Sequence, residues 1–128
     1  MFTQTTEGVK VTVESIYQPE YSTPENGHFM YAYKVCIENL SAHSVQLLSR
    51  HWYIFDGYGK THEVKGEGVV GLQPIIPPGE RHIYVSGCHL SSDMGSMRGS
   101  YTMRRVHDDT KFEVSIPRFN LAAPYRLN

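Results

Sequence analysis

Residues 66 to 71 read GEGVVG, with glycines at Gly66, Gly68 and Gly71. The G-x-G-x-x-G spacing belongs to loops that wrap a dinucleotide pyrophosphate. There a strand enters, the glycines permit a tight turn and close backbone approach, and a helix N-terminus supplies amides and dipole. The entering strand is present, because THEVK (61–65) reads as a short strand. The helix is not. Gly71 is followed by LQPIIPPGE, with prolines at Pro74, Pro77 and Pro78. In a helix interior each proline removes a hydrogen bond and clashes with the preceding turn, at roughly 3 kcal/mol apiece. No Gly-Lys-Ser/Thr follows for a mononucleotide loop. Two uses of the glycines remain. They permit a bulge, a corner or a close backbone contact in a sheet, which is the expectation, or they expose amides as a helix-free anion concavity, which is the alternative.

Other residue types invite the same scrutiny. The chain has seven histidines: His28, His43, His51, His62, His82, His89 and His107. Zinc or cobalt needs three or four converging N or S ligands. Cys88 and His89 are neighbours, so on a strand they point to opposite faces. His82 and Cys88 share a face but stand roughly 20 Å apart along an extended chain. The one acidic pair, Asp108-Asp109, reads as a hairpin turn rather than a magnesium site. No metal site is expected. Ser49-Arg50-His51 and Ser86-Gly87-Cys88-His89 hold nucleophile and base types, yet adjacent strand residues cannot face each other as a triad requires. Glu63 and Glu67 flank the glycine loop, too few carboxylates for metal-assisted pyrophosphate hydrolysis. The expectation is therefore no catalytic residue and no cofactor. The site candidates are Gly66, Gly68, Gly71 and Arg50 for an anion or ligand, beside a structural cluster of His51, Trp52 and Glu67. Arg50 shares a strand face with Trp52 unless a bulge intervenes. An arginine facing a sandwich core needs a partner, and a carboxylate such as that of Glu67 would let it pin the loop to the sheet.

The elements that must position these residues are strands. Val9, Val11 and Val13 alternate with polar residues, as do Phe29, Tyr31, Tyr33, Val35 and Ile37, then Ile83 and Val85, then Phe112, Val114 and Ile116. Each stretch lays one apolar row on one strand face. VQLLSRHWYIF (45–55) is denser and predicts either a kink near Ser49-Arg50 or a strand buried on both faces. Turn residues separate the runs: Pro24-Glu25-Asn26-Gly27, Asp56-Gly57-Tyr58-Gly59, Pro77-Pro78-Gly79 and Asp108-Asp109. No window shows helical periodicity over three turns. SSDMGSM (91–97) reads as a loop or single turn, and LAAPYRLN (121–128) as an extended surface tail. About seven short strands with regular turns predict an all-β sandwich of two mostly antiparallel sheets.

Composition narrows the function classes. In 128 residues, 40% are hydrophobic and 20% charged, with a net charge of -1. That balance does not suit bulk electrostatic binding of nucleic acid. No apolar run approaches the roughly 20 residues of a membrane span, and MFTQTTEGVK lacks the pattern of a signal peptide. A cytoplasmic location is expected, with Cys36 and Cys88 reduced rather than bridged across the two sheets.

One block is more distinctive than its glycines. VQLLSRHWYIFDGYGKTHEVKGEGVVGLQPIIPPGE, then YVSGCHL, GSMRGSYTM and FEVSIPRFNLAAP, in this order and spacing, resembles the ApaG family. The resemblance runs from about residue 3 to Pro124 and is strongest over 43–124; LLSRHW together with GEGVVG is its most specific part. It implies an immunoglobulin- or fibronectin type III-like sandwich, with 1–128 as a single domain. It also implies a link to cobalt resistance and magnesium efflux. Similar domains in an F-box protein and a polymerase-interacting protein imply a role in protein interaction. The family's glycine pattern, discussed as a pyrophosphate site, maps onto Gly66, Gly68 and Gly71 without departure. The functional expectation is a non-catalytic protein-interaction module. It would bind a protein partner or a second copy of itself through an open sheet edge or exposed aromatics such as Tyr17, Tyr21 and Tyr125, and neither nucleic acid nor membrane. The alternative is a small-anion or nucleotide-binding protein using loop 66–71.

Overall fold

The computed structural model describes residues 1–126. Nine strands follow one another: β1 (Phe2–Thr6), β2 (Val9–Tyr17), β3 (Phe29–Asn39), β4 (Val45–Asp56), β5 (Thr61–Glu67), β6 (Ile75–Ile76), β7 (Arg81–Leu90), β8 (Met94–Arg105) and β9 (Lys111–Ala122). They form two antiparallel sheets, β1-β2-β3-β7 and β5-β4-β8-β9, with β6 pairing the start of β4. The architecture is the expected immunoglobulin/fibronectin type III-like sandwich. Of the strands not read from the sequence, β1 is exposed almost throughout and β6 is only two residues long. Neither carries the alternation by which a half-buried strand is read.

The inner faces meet in a core where Val9, Val11, Val13, Val35 and Ile37 oppose Leu47, Trp52, Tyr101, Met103, Val114 and Phe119. Burying each such side chain contributes about 1.5–3 kcal/mol. Along one side the sandwich is closed by β9 against β1 and β2. There the Ser15 hydroxyl donates to the Asn120 carbonyl at 2.8 Å, and the Ser115 N–H donates to Thr6 Oγ1 at 3.2 Å. The other side is open, flanked by the unpaired edges of β5 and β7.

Four expectations change. The row Ile83 and Val85 faces solvent at 46% and 57% exposure, while Tyr84 turns inward. The Tyr84 hydroxyl meets that of buried Tyr101, so the core takes the larger ring with its polar tip satisfied. The stretch 91–97 is not a lone turn, because strand β8 begins at Met94. Its glycines hid it: a Cβ at Gly95 would lie 2.3 Å from the Phe55 carbonyl oxygen, and one at Gly99 would lie 2.1 Å from that of His51. β8 can press against β4 only without side chains there. The C-terminal stretch is no surface tail up to Ala123. β9 continues to Ala122, Leu121 and Ala123 are buried, and the Ala123 N–H donates to the Asp93 carbonyl at 3.0 Å. Finally, the two cysteines do not sit across two sheets. Both belong to the first, with Cys36 on β3 and Cys88 on neighbouring β7, and both are free thiols.

The kink expected near Ser49-Arg50 is a β-bulge between Leu47 and Ser49. A bulge adds one residue and reverses the in–out alternation. Upstream, Val45 and Leu47 face inward; downstream, Trp52 and Asp56 do. Arg50 therefore does share the inner face with Trp52.

Candidate functional site

Arg50 stands directly opposite Gly66 in the β4–β5 ladder. Its guanidinium folds back over Gly66, so a Cβ there would meet Nη1 and Nη2 at 2.8 Å and Cζ at 2.9 Å. From this position Nη1 donates to the Glu67 carbonyl at 3.0 Å and the Gly68 carbonyl at 2.8 Å. Arg50 pins the loop, as expected, but through main-chain carbonyls. The Glu67 carboxylate is not its partner, because Glu67 follows the glycine at the end of β5 and turns its side chain to solvent. No ion pair of Arg50 exists among the described residues.

The other two glycines have their own reasons. Gly68 has φ +64°, and a Cβ there would fall 2.3 Å from the Leu72 carbonyl oxygen. The Gly68 N–H donates to the carbonyl of bulged Leu48 at 2.9 Å. Val69 and Leu72 exchange main-chain bonds of 2.8 and 3.0 Å, closing a two-residue turn. Its central residues Val70 and Gly71 have φ +48° and +76°, the double positive φ of a type I′ turn. The amides of Gly68, Val69 and Leu72 are thus committed to main-chain partners. Gln73 Nε2 also donates to the Leu48 carbonyl, at 2.8 Å, so the loop is laced to the bulge.

The structure separates the expected cluster. Trp52 is 2% exposed and packs edge-on to Tyr33 and Phe119. Its Nε1–H is buried without a hydrogen-bond partner among the described residues. His51 points to the outer face instead, bonded to the Glu63 carboxylate, with its ring centroid 4.5 Å from that of Tyr53. What joins Arg50 and Trp52 came from other strands: Tyr33 on β3 and Tyr84 and Ser86 on β7. Tyr33 was legible only as one member of an apolar row.

Together these residues floor a groove on the open side of the sandwich. Its wider part, about 650 Å³, is lined by Ile54, His62, Val64 and His89 around Tyr33, Arg50, Trp52 and Ser86. A narrower part of about 320 Å³ shares those last four and runs on to Val70, Val85 and Glu67. Among the described residues, Arg50 is the sole Lys or Arg side chain lining either part. Burial raises the Tyr33, Tyr84 and Tyr101 hydroxyls above their ordinary pKa, so they are neutral and bring Arg50 no counter-charge.

Cys88 also lines the groove. Burial above all, then the Asp56 charge, pushes its thiol up to about 11. The thiolate, the reactive form, is therefore scarce at neutral pH. Iodoacetamide at pH 8 should label half-exposed Cys36 alone in the folded protein, and both thiols in urea. Peptide mapping of the alkylated protein checks this; equal labelling of both cysteines without urea would contradict it. Of the exposed aromatics, Tyr21 and Tyr125 are 71% and 54% exposed, whereas Tyr17 is half-buried against Tyr31.

Among the described residues, no three His, Cys, Asp or Glu side chains converge on one point where a metal ion could sit. His28 Nδ1 and His89 Nε2 lie 2.9 Å apart, and the His43 and His107 rings stack at 3.9 Å. Both groups stop at two.

The fold and groove define a two-sheet sandwich domain with a cleft on its open side. The ApaG domain pattern matches residues 19–105. Protein ApaG of Pseudomonas paraeruginosa is 52% identical over 120 residues, covering 94% of each chain. Protein ApaG of Paramagnetospirillum magneticum is 44% identical over 131 residues, covering both chains fully. The crystal structure of the putative ApaA protein from Bordetella pertussis superposes with a TM-score of 0.88 at 44% identity, covering 91% of this chain and 94% of that one. The chain belongs to the ApaG family.

Proposed function

We propose that the protein is a non-catalytic recognition module that takes a protein partner on the open side of its sandwich. The observation that carries this reading is the groove itself. Two unpaired strand edges, β5 and β7, flank a cleft floored by Tyr33, Arg50 and Trp52. Unpaired edges present free N–H and C=O groups to an incoming chain, and aromatic and arginine side chains are the usual anchors of interfaces. Exposed Val64, Val70 and Val85 add apolar rim to the same side. The protein would act in the cytoplasm. The link to cobalt resistance and magnesium efflux would then run through the partner rather than through bound metal. No helix among the described residues is long and apolar enough to cross a membrane.

Crosslinking of the wild-type protein in cell lysate, followed by mass spectrometry, tests the reading. Crosslinked positions should cluster on β5, β7 and loop 68–73, and Val85→Lys should reduce capture. Recovery of no partner above background, or crosslinks clustered on the closed β1–β9 side, would contradict it. Crosslinks between copies of this chain would identify the partner as a second copy.

A further inference from the structure

We propose that the groove accepts an extended acidic segment of a partner protein, seating one side-chain carboxylate on Arg50. The inference rests on the recognition reading and names its chemistry.

Two observations lead here. Arg50 spends only Nη1 on the loop carbonyls, so Nε and Nη2 have no protein acceptor among the described residues. A half-buried guanidinium without a counter-charge is costly, and a carboxylate matches its remaining planar pair of donors. Trp52 lines the same groove wall beside Arg50, with its Nε1–H buried away from the groove surface. Around this centre, polar lining alternates with apolar Ile54 and Val64 in the wider part and Val70 and Val85 in the narrower. The groove thus suits one acid with apolar neighbours.

Charge matching separates a peptide from a free phosphate compound. Arg50 is the sole Lys or Arg lining the groove among the described residues, and the groove's carboxylates are Glu63, held by His51, and Glu67. One guanidinium balances one carboxylate but leaves the multiple charges of a nucleotide or pyrophosphate largely uncompensated. Of the loop amides, those of Gly68 and Val69 are already bonded to the carbonyls of Leu48 and Leu72. Length agrees as well. β5 spans seven residues, about 23 Å of edge at roughly 3.3 Å per residue, enough to flank an extended segment on both sides of its acid.

The test starts from random peptides selected on the wild-type protein. The sole tryptophan of the chain is Trp52, so its fluorescence reports directly on the groove. Selected peptides should share an Asp or Glu between apolar residues and should shift Trp52 emission saturably. Affinity should fall by about tenfold or more when that acid becomes its amide, and likewise in Arg50→Gln, in keeping with loss of a desolvated charge pair. Ser86→Asp, which keeps Arg50 in place and sets a negative charge in the wall, should weaken binding similarly and serves if Arg50→Gln does not fold. Millimolar pyrophosphate or ATP should not displace the peptide. Acid-free peptides that bind equally well, or affinity indifferent to both variants, would overturn the carboxylate seat while leaving the recognition reading intact. Displacement by pyrophosphate or ATP would replace the peptide with a small phosphate ligand. Failure to select any peptide, with no crosslinked partner in lysate, would remove both.

Discussion

Gly68→Ala should destabilise the protein by about 3–4 kcal/mol, a large share of the 5–15 kcal/mol that holds a typical domain together. Two costs combine. The backbone at φ +64° is a conformation in which an L side chain loses roughly 1–2 kcal/mol. The new Cβ would also lie 2.3 Å from the Leu72 carbonyl oxygen and 2.9 Å from its carbon. Both are backbone atoms, so relief requires opening the Val69–Leu72 turn or the bond from the Gly68 N–H to the Leu48 carbonyl. Each bond so lost costs about 1 kcal/mol. The other motif glycines set the scale. Gly71 has φ +76° but open space around a Cβ, so Gly71→Ala should cost only about 1 kcal/mol. Gly66→Ala meets the far end of the Arg50 side chain, not backbone, and should leave the fold standing while displacing the guanidinium from the loop carbonyls. Urea unfolding of the three variants checks the ranking. A midpoint for Gly68→Ala equal to that of wild type would contradict it.

Asp56→Ala should cost about 3 kcal/mol, and the loss should depend on pH. Asp56 is 5% exposed at the end of β4. Its Oδ2 accepts from the Ser91 N–H at 2.7 Å and the Ser91 hydroxyl at 2.6 Å, and its Oδ1 from the Ser92 hydroxyl at 2.6 Å. The Gly57 N–H in turn donates to Ser92 Oγ at 2.9 Å. The carboxylate thereby ties the β4–β5 turn to the β7–β8 turn. Removing it strands buried donors, at about 1–3 kcal/mol for each left unpaired. Burial acts to raise the Asp56 pKa, but the hydrogen bonds from Ser91 and Ser92 outweigh it and hold the pKa below the ordinary value. A depressed folded-state pKa contributes stability above the unfolded value, about 3.9, and that contribution fades as pH falls through the folded value. Wild type should therefore lose this stabilisation below about pH 4, and Asp56→Asn should show a flatter acid limb. Thermal unfolding from pH 2 to 7 gives both curves; parallel acid limbs would refute the assignment.

The sequence pattern exposed the fold where side chains alternate and failed where backbone contact sets the structure. Val9–Val13, Phe29–Ile37 and Phe112–Ile116 read correctly because one face of each strand is buried. β7 inverted because its apolar Ile83 and Val85 lose the interior to Tyr84, whose hydroxyl has a partner across the sheets. β8 was hidden by Gly95 and Gly99, whose purpose lies in the carbonyls of β4 rather than in their own neighbours. At the site, the prolines after Gly71 were enough to rule out a helix. The pinning of the loop by Arg50 was foreseeable, since an inward arginine needs acceptors. Its choice of carbonyls over the Glu67 carboxylate was not, because it depends on Gly66 lying directly opposite. The groove partners Tyr33, Tyr84 and Ser86 come from strands distant in sequence, and no local pattern connects them to Arg50.

The central claim is that the glycine motif builds and anchors a loop, leaving ligand recognition to the groove beside it. Amide hydrogen exchange at Gly68 and Val69, measured by NMR with and without millimolar pyrophosphate, tests it most directly. Both N–H groups are bonded to main-chain carbonyls, of Leu48 and Leu72, so both should exchange slowly and keep their resonance positions when pyrophosphate is added. Fast exchange in the free protein, with protection and shifted resonances only in pyrophosphate, would contradict the account.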